Sequence, residues 1–155
     1  MTEATSSRNS AQFRIAVFAL IFDEDQRVLL AHRRDIDWWN LPGGGMEQGE
    51  TVEEAVRREV REETGLEVEV KYLVGVYSKP QKQEVVLTFC CRVTGGSLTV
   101  TEESRECRYF APDDLPLNTL PKHRQRVEDA LLNLPHAVLR NQLISSEVDQ
   151  KLPPG

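Results

Sequence analysis

At 155 residues, 39% of them hydrophobic, the chain can close one hydrophobic core but hardly two. A net charge of -6 argues against non-specific nucleic-acid binding, though not against phosphate ligands, since a bound divalent cation reverses the local sign. The longest apolar run, residues 15–22, is far too short for a bilayer, and the polar N-terminus lacks a secretory pattern; a cytoplasmic protein is expected.

Residues 1–11 read as a disordered tail, 12–135 as one domain, and 136–155 as a C-terminal helix or flexible tail ending in prolines. "QFRIAVFALIF" reads as a buried strand, and the acidic "DEDQ" turns the chain into "RVLLAHRR", predicting a hairpin. "DIDWWNLPGGGMEQGE" is a loop. A helix follows over residues 51–64, started near Thr51 and stopped by Gly65. "LEVEVKYLVGVY" alternates as a strand, "SKPQKQ" turns, "EVVLTFCCRV" is a more buried strand and "ECRYFAP" a short one. "KHRQRVEDALLNL" is a second amphipathic helix. Strands bracketing two separated helices predict an α+β sandwich with a mixed sheet between helical layers. Cys90, Cys91 and Cys107 have no metal-type spacing and read as reduced core thiols, the first two on opposite faces of a strand.

One feature of the first helix conflicts with a solvated surface. At about 100° per residue, Val52, Val56 and Val60 mark the buried stripe; Glu59 and Glu63 fall inside it and Glu62 beside it. Arg57, Arg61 and Glu54 gather on the opposite side. Crowded, part-buried carboxylates are costly without a counter-charge, and Arg58 absorbs only part of that charge. Converging hard oxygens suit Mg2+ or Mn2+. The preceding "LPGGG" can bring backbone close to a ligand, because glycine removes side-chain bulk.

Residues 44–66 resemble the signature of the Nudix hydrolases, G-x5-E-x7-R-E-U-x-E-E-x-G-U with U a bulky aliphatic. Gly44, Glu50, Arg58, Glu59, Val60, Glu62, Glu63, Gly65 and Leu66 occupy its fixed positions. The resemblance implies an α/β/α sandwich that cleaves a nucleoside diphosphate linked to another group, with Mg2+ or Mn2+. It implies Glu59, Glu62 and Glu63 as metal ligands, joined by the Gly43 carbonyl. Arg58 would orient the carboxylates, and Glu50 would bind metal through water or pair with Arg58. Glu59 is the first choice of general base. Glu106 is the late candidate, because "ECRYF" is similar to the family's acidic-then-aromatic strand, with Glu102 and Glu103 competing.

Pro80 lies near the place where ADP-ribose pyrophosphatases of the family carry a proline, so ADP-ribose is the first substrate expected. Triphosphates, oxidised ones included, are the alternative, and a non-catalytic nucleotide sensor is a further one. Arg33 and Arg34 end a strand before the site loop and are candidates to grip a phosphate. Trp39 and Tyr77 are candidates to stack on a base, and Gly43 and Gly44 to approach the substrate. The expected partner is a small nucleotide, without stable nucleic-acid or membrane binding; a homodimer is left open.

Overall fold

The run "RIAVFALI" forms β1 (Arg14–Ile21), and six of its eight side chains are buried whichever way they point. Alternation sends Ala16, Phe18 and Leu20 into one apolar cluster and Val17, Ala19 and Ile21 into another on the opposite face. A strand buried on both faces must lie inside a sheet with a layer on each side. The structure, a computed structural model, describes residues 11–143. Nearly all of the expected N-terminal tail and the end of the C-terminal one lie outside those residues.

After β1 come β2 (Val28–Arg33), β3 (Trp39–Asn40), β4 (Gly43–Gly45), α1 (Val52–Thr64) and β5 (Leu66–Lys79). A short 3-10 turn, Pro80–Lys82, leads to β6 (Glu84–Gly96), β7 (Ser104–Phe110), α2 (Pro121–Leu131) and β8 (Val138–Asn141). One mixed sheet runs β4-β1-β6-β5-β8; a second, antiparallel, runs β3-β2-β7. Helix α1 contributes Ala55, Val56 and Val60 to one cluster, and α2 contributes Val127 to the other. This is the expected α+β arrangement with a mixed sheet between helices. Among the described residues, no helix is long and apolar enough to cross a membrane.

Three local expectations are corrected. The first two strands do not form a hairpin: β1 and β2 share only the Phe22–Val28 bridge. Both edges of β1 are occupied, by antiparallel β4 and parallel β6, so β2 pairs with β3 and β7 instead. The glycine loop is partly strand, with Gly43 to Gly45 in register with Phe18 to Ala16. Residues 138–141, expected as helix or loose tail, add a parallel strand beside β5.

The helix that carries the acids is delimited at both ends by local chemistry. The Thr51 hydroxyl accepts the Glu54 N–H at 3.1 Å and the Glu54 carboxylate accepts the Thr51 N–H at 2.8 Å, a reciprocal cap. Gly65 closes the helix in the left-handed region at φ 82°, and a Cβ there would lie 2.5 Å from the Ser97 carbonyl oxygen. Gly65→Ala therefore combines an unfavourable φ with a backbone clash, and should lower unfolding free energy by more than about 1 kcal/mol in urea titrations.

Candidate active site

The inward stripe is observed. Glu59 and Glu63 are buried on α1, Glu62 is exposed beside them, and Glu54, Arg57 and Arg61 are exposed on the far side. Arg58 binds three carboxylates at once: Nε to Glu50 Oε2 at 2.5 Å, Nη1 to Glu59 Oε1 at 3.0 Å, and Nη1 to Glu62 Oε1 at 3.2 Å. Its Nη2 also donates to the Gly45 carbonyl at 3.1 Å, tying the helix to β4. Its fork is committed to these partners, and Arg58 is not among the described residues lining the cleft beside the acids.

Glu50 accepts a second bond from Arg58, Nη2 to Oε1 at 3.0 Å, and the guanidinium pulls its carboxyl down to about 2. Of the two roles expected for Glu50, the structure shows the pairing with Arg58. Glu63 lies deepest; its Oε2 accepts the Gly43 N–H at 2.8 Å. The Gly43 group seen bonding to the acids is thus its amide, whereas its carbonyl was expected as a ligand. A Cβ on Gly43 would lie 2.2 Å from the Val17 carbonyl oxygen, a backbone clash, and one on Gly44 would lie 2.5 Å from Glu59 Oε2 and displace that carboxylate.

Burial raises the carboxyl of Glu59 above its ordinary value against the opposing pull of Arg58. Burial, reinforced by Glu59, raises Glu63 further still. Both are therefore deficient in positive charge. Oxygen atoms of Glu59, Glu62 and Glu103 come within 4.8 Å of one another, a hard-donor set that fits a small divalent cation. Glu103, from the segment between β6 and β7, is the late carboxylate the fold brings to the box. Partial burial, then the charge of Glu62, raises its carboxyl as well.

Glu106 is not brought there. It alternates with Cys107, whose side chain packs toward α1, and its own carboxylate pairs with Arg108 on the other face of β7. No sequence pattern marks Glu103 over its neighbours, because it sits in an irregular segment without periodicity.

A cleft of about 360 Å³ opens beside the acids. Gly43, Gly44, Gly45, Glu59, Glu63, Glu102 and Glu103 line it together with Arg14, Phe18, Arg33, Arg34, Asp35 and Asn40. Arg33 and Arg34 are placed as expected, but each is partly engaged. Arg33 is forked onto Asp35 at 2.8 and 2.5 Å, and Arg34 Nε donates to the Thr101 carbonyl at 2.8 Å.

The aromatic candidates are elsewhere. Tyr77 is fully buried and its hydroxyl donates to Asp129 at 2.9 Å. Trp39 is buried, stacked on His32 with ring centroids 4.5 Å apart and edge-on to Phe110. Neither can stack on a base. Pro80 is exposed at the start of the 3-10 turn and is not among the described residues lining the cleft. His123 is buried and neutral, its Nδ1 accepting the Leu41 N–H at 3.0 Å, with burial holding its pKa well below the usual value. The sequence reading missed Asn40, a buried residue on the cleft wall whose Oδ1 has no hydrogen-bond partner among the described residues. The signal for it was present: a polar residue immediately before the buried "LP".

Comparison with known proteins agrees with this geometry. Residues 12–131 match the NUDIX domain. A protein of Bacillus subtilis (strain 168), provisionally assigned as an 8-oxo-dGTP diphosphatase, is 34% identical over 113 residues, covering 72% of this chain and 76% of its own. The ADP-ribose pyrophosphatase of Methanocaldococcus jannaschii is 39% identical over 120 residues, covering 70% and 68%. The crystal structure of an ADP-ribose pyrophosphatase from Streptococcus suis 89-1591 superposes with a TM-score of 0.70 at 27% identity, over 84% of this chain and 100% of that one.

The raised carboxyls of Glu59 and Glu63 set a pH dependence with a definite sign. The folded protein keeps protons that the unfolded chain releases above its ordinary carboxyl value of 4.5, so this contribution falls as pH rises. Glu50 acts oppositely, contributing above 4.5 and losing that contribution as pH falls toward about 2. In chelator, melting temperature should decline from mildly acidic to neutral pH, and Glu63→Gln should flatten the decline; thermal melts across that range check it.

Proposed function

This chain belongs to the Nudix hydrolase family, and we propose that it cleaves the diphosphate bridge of a nucleoside diphosphate derivative, ADP-ribose first among them. The observation that carries the reading is the buried, charge-deficient Glu59–Glu63 pair opening onto a cleft that Arg14, Arg33 and Arg34 also line. Acids that require a cation and arginines that attract an anion meet across one space, as a phosphate–cation complex demands.

Mg2+ or Mn2+ would be held by Glu59 and Glu62, with Glu63 behind and Glu103 at the rim; such an ion neutralises phosphate oxygens and lowers the pKa of coordinated water. Arg58 keeps Glu59 and Glu62 in orientation before substrate arrives, so no reorganisation is needed during reaction. The Gly43 N–H holds Glu63 in place. Glu103 is the proton acceptor: it is exposed, has no ion-pair partner among the described residues, and its raised carboxyl suits a base working nearer neutrality. As water attacks one phosphorus in line, the bridging P–O bond breaks and Glu103 takes the water's proton. AMP and ribose 5-phosphate are the products from ADP-ribose.

Support for ADP-ribose comes from the two similar pyrophosphatases described above, one matched in sequence and one in structure. A second reading, hydrolysis of oxidised nucleoside triphosphates, has its own observation in Asn40. An 8-oxopurine carries an N–H at position 7 where the ordinary purine has only an acceptor, and the unpartnered Oδ1 on the cleft wall is complementary to it.

Turnover of ADP-ribose, oxidised and ordinary triphosphates, NADH and dinucleoside polyphosphates, with Mg2+, Mn2+ or chelator, tests both. AMP from ADP-ribose is expected, abolished by chelator, with Glu63→Gln slower by roughly 100-fold or more. Pyrophosphate release from triphosphates alone would replace ADP-ribose with the second reading. In that event Asn40→Ala should erode the preference for oxidised over ordinary purine by about 10-fold, read as a ratio of kcat/KM values.

A further inference from the structure

Glu103 belongs to a segment without regular structure, yet its carboxylate has to meet a helix made about 40 positions earlier. The last carbonyls of that helix explain how. A helix leaves its final carbonyls without intrahelical partners. In α1 the Arg61 carbonyl accepts the Gly65 N–H at 3.0 Å, and the Thr64 carbonyl accepts the Thr99 N–H at 3.0 Å. The Glu63 carbonyl accepts from the Cys107 thiol at 3.3 Å and from the Thr101 hydroxyl at 3.4 Å. The late segment therefore caps the box helix, and does so at the backbone of a box glutamate.

Thr101 does more than cap. Its Oγ1 also accepts the Glu103 N–H at 3.2 Å and the Ser104 N–H at 3.1 Å. A hydroxyl has one proton to give and two lone pairs, and here all three are used. Arg34 ties the other side, Nε to the Thr101 carbonyl at 2.8 Å and backbone N–H to the Glu103 carbonyl at 3.4 Å. One oxygen atom thus joins the backbone of Glu63 to the backbone of Glu103.

We propose that the Thr101 hydroxyl is a positioning residue that fixes Glu103 against the box helix, with Arg34 as its second tether. Thr101 touches no reacting atom; it acts through Glu103, and the proposal rests on the catalytic role assigned above to that carboxylate. It also gives Arg34 a task besides attracting phosphate.

The test compares T101V, which keeps the shape and removes all three bonds, with T101S, which keeps the hydroxyl, alongside E103Q and the T101V/E103Q double variant. T101V should lower kcat by roughly 10- to 100-fold, the cost of a misplaced group, with KM near wild type. T101S should restore the rate, and the double variant should be no slower than E103Q alone. Independently of turnover, the Glu103 and Ser104 amide protons should exchange with solvent much faster in T101V than in the wild type or T101S, measured by NMR in the metal-free protein.

Unchanged exchange in T101V, or rate losses that multiply in the double variant, would overturn the proposal. E103Q at wild-type rate would overturn the role of Glu103, and that of Thr101 with it. A wild type that turns over no nucleotide would defeat the functional reading, while the exchange measurement still decides whether Thr101 holds Glu103 in place. Should T101V fail to fold, T101A removes the same hydroxyl with less bulk.

Discussion

Arg58 lies in ion-pair contact with Glu47, Glu50, Glu59 and Glu62, and no other cation among the described residues does so. Glu63 and Glu103, adjoining the same space, have no ion-pair partner there at all. Six carboxyl groups thus share one guanidinium, and two of them, Glu59 and Glu63, are buried. Such an arrangement cannot be neutral and fully ionised together; it must hold protons or recruit cations. The fold is built to sustain that deficit. The glycine strand packs so closely that a Cβ on Gly44 would strike Glu59, the reciprocal cap fixes where the helix begins, and Gly65 fixes where it stops.

The same cleft also carries the other sign, in Arg14, Arg33 and Arg34, though less freely than their number suggests. Arg33 is forked onto Asp35, and Arg34 spends a donor on the Thr101 carbonyl. Held side chains lose less freedom when a ligand arrives, so partial engagement pre-organises the arginines as well as tempering their charge. Arg14 is treated similarly: its Nε lies 3.2 Å from the fully buried carboxylate of Glu84, which Lys79 also contacts at 2.8 Å. An acid-rich helix and a set of tethered arginines are thus fixed in the folded protein before any substrate enters.

How much of this was legible depended on whether a residue's role was local and periodic. Glu59 and Glu63 stood out because a 3.6-residue period fixes the face of every helical side chain, and their acidity contradicted that face. Thr51 and Gly65 were equally plain, since capping is chemistry between near neighbours. Glu103 was legible only as a competitor of Glu106: an irregular segment has no period, and only the tertiary docking of that segment on the helix end selects it over Glu102 and Glu106. Tyr77 and Trp39 misled for a related reason. An aromatic ring suits a core and a ligand equally well, and Asp129 and His32, the partners that decide, lie on other elements. The missing hairpin shows the same limit in backbone form. Adjacent apolar strands suggest each other until more distant β4 and β6 take both edges of the first.

That last feature bears on how the chain is made. Arg14 of β1 pairs with Glu84 of β6, about 70 positions further along. As the chain emerges during synthesis, β1 comes first and has neither neighbour. Its antiparallel partner β4 follows about 30 positions later, and its parallel partner much later still. An apolar strand with two unsatisfied edges is an aggregation risk for as long as it waits. Distant pairing also slows folding, because chain entropy is lost before contacts offset it. The strand against which the glycine segment and acidic helix are assembled is therefore the first synthesised and among the last completed. Glu103, which follows β6 in the chain, can meet Glu59 and Glu62 only once β6 has left the ribosome.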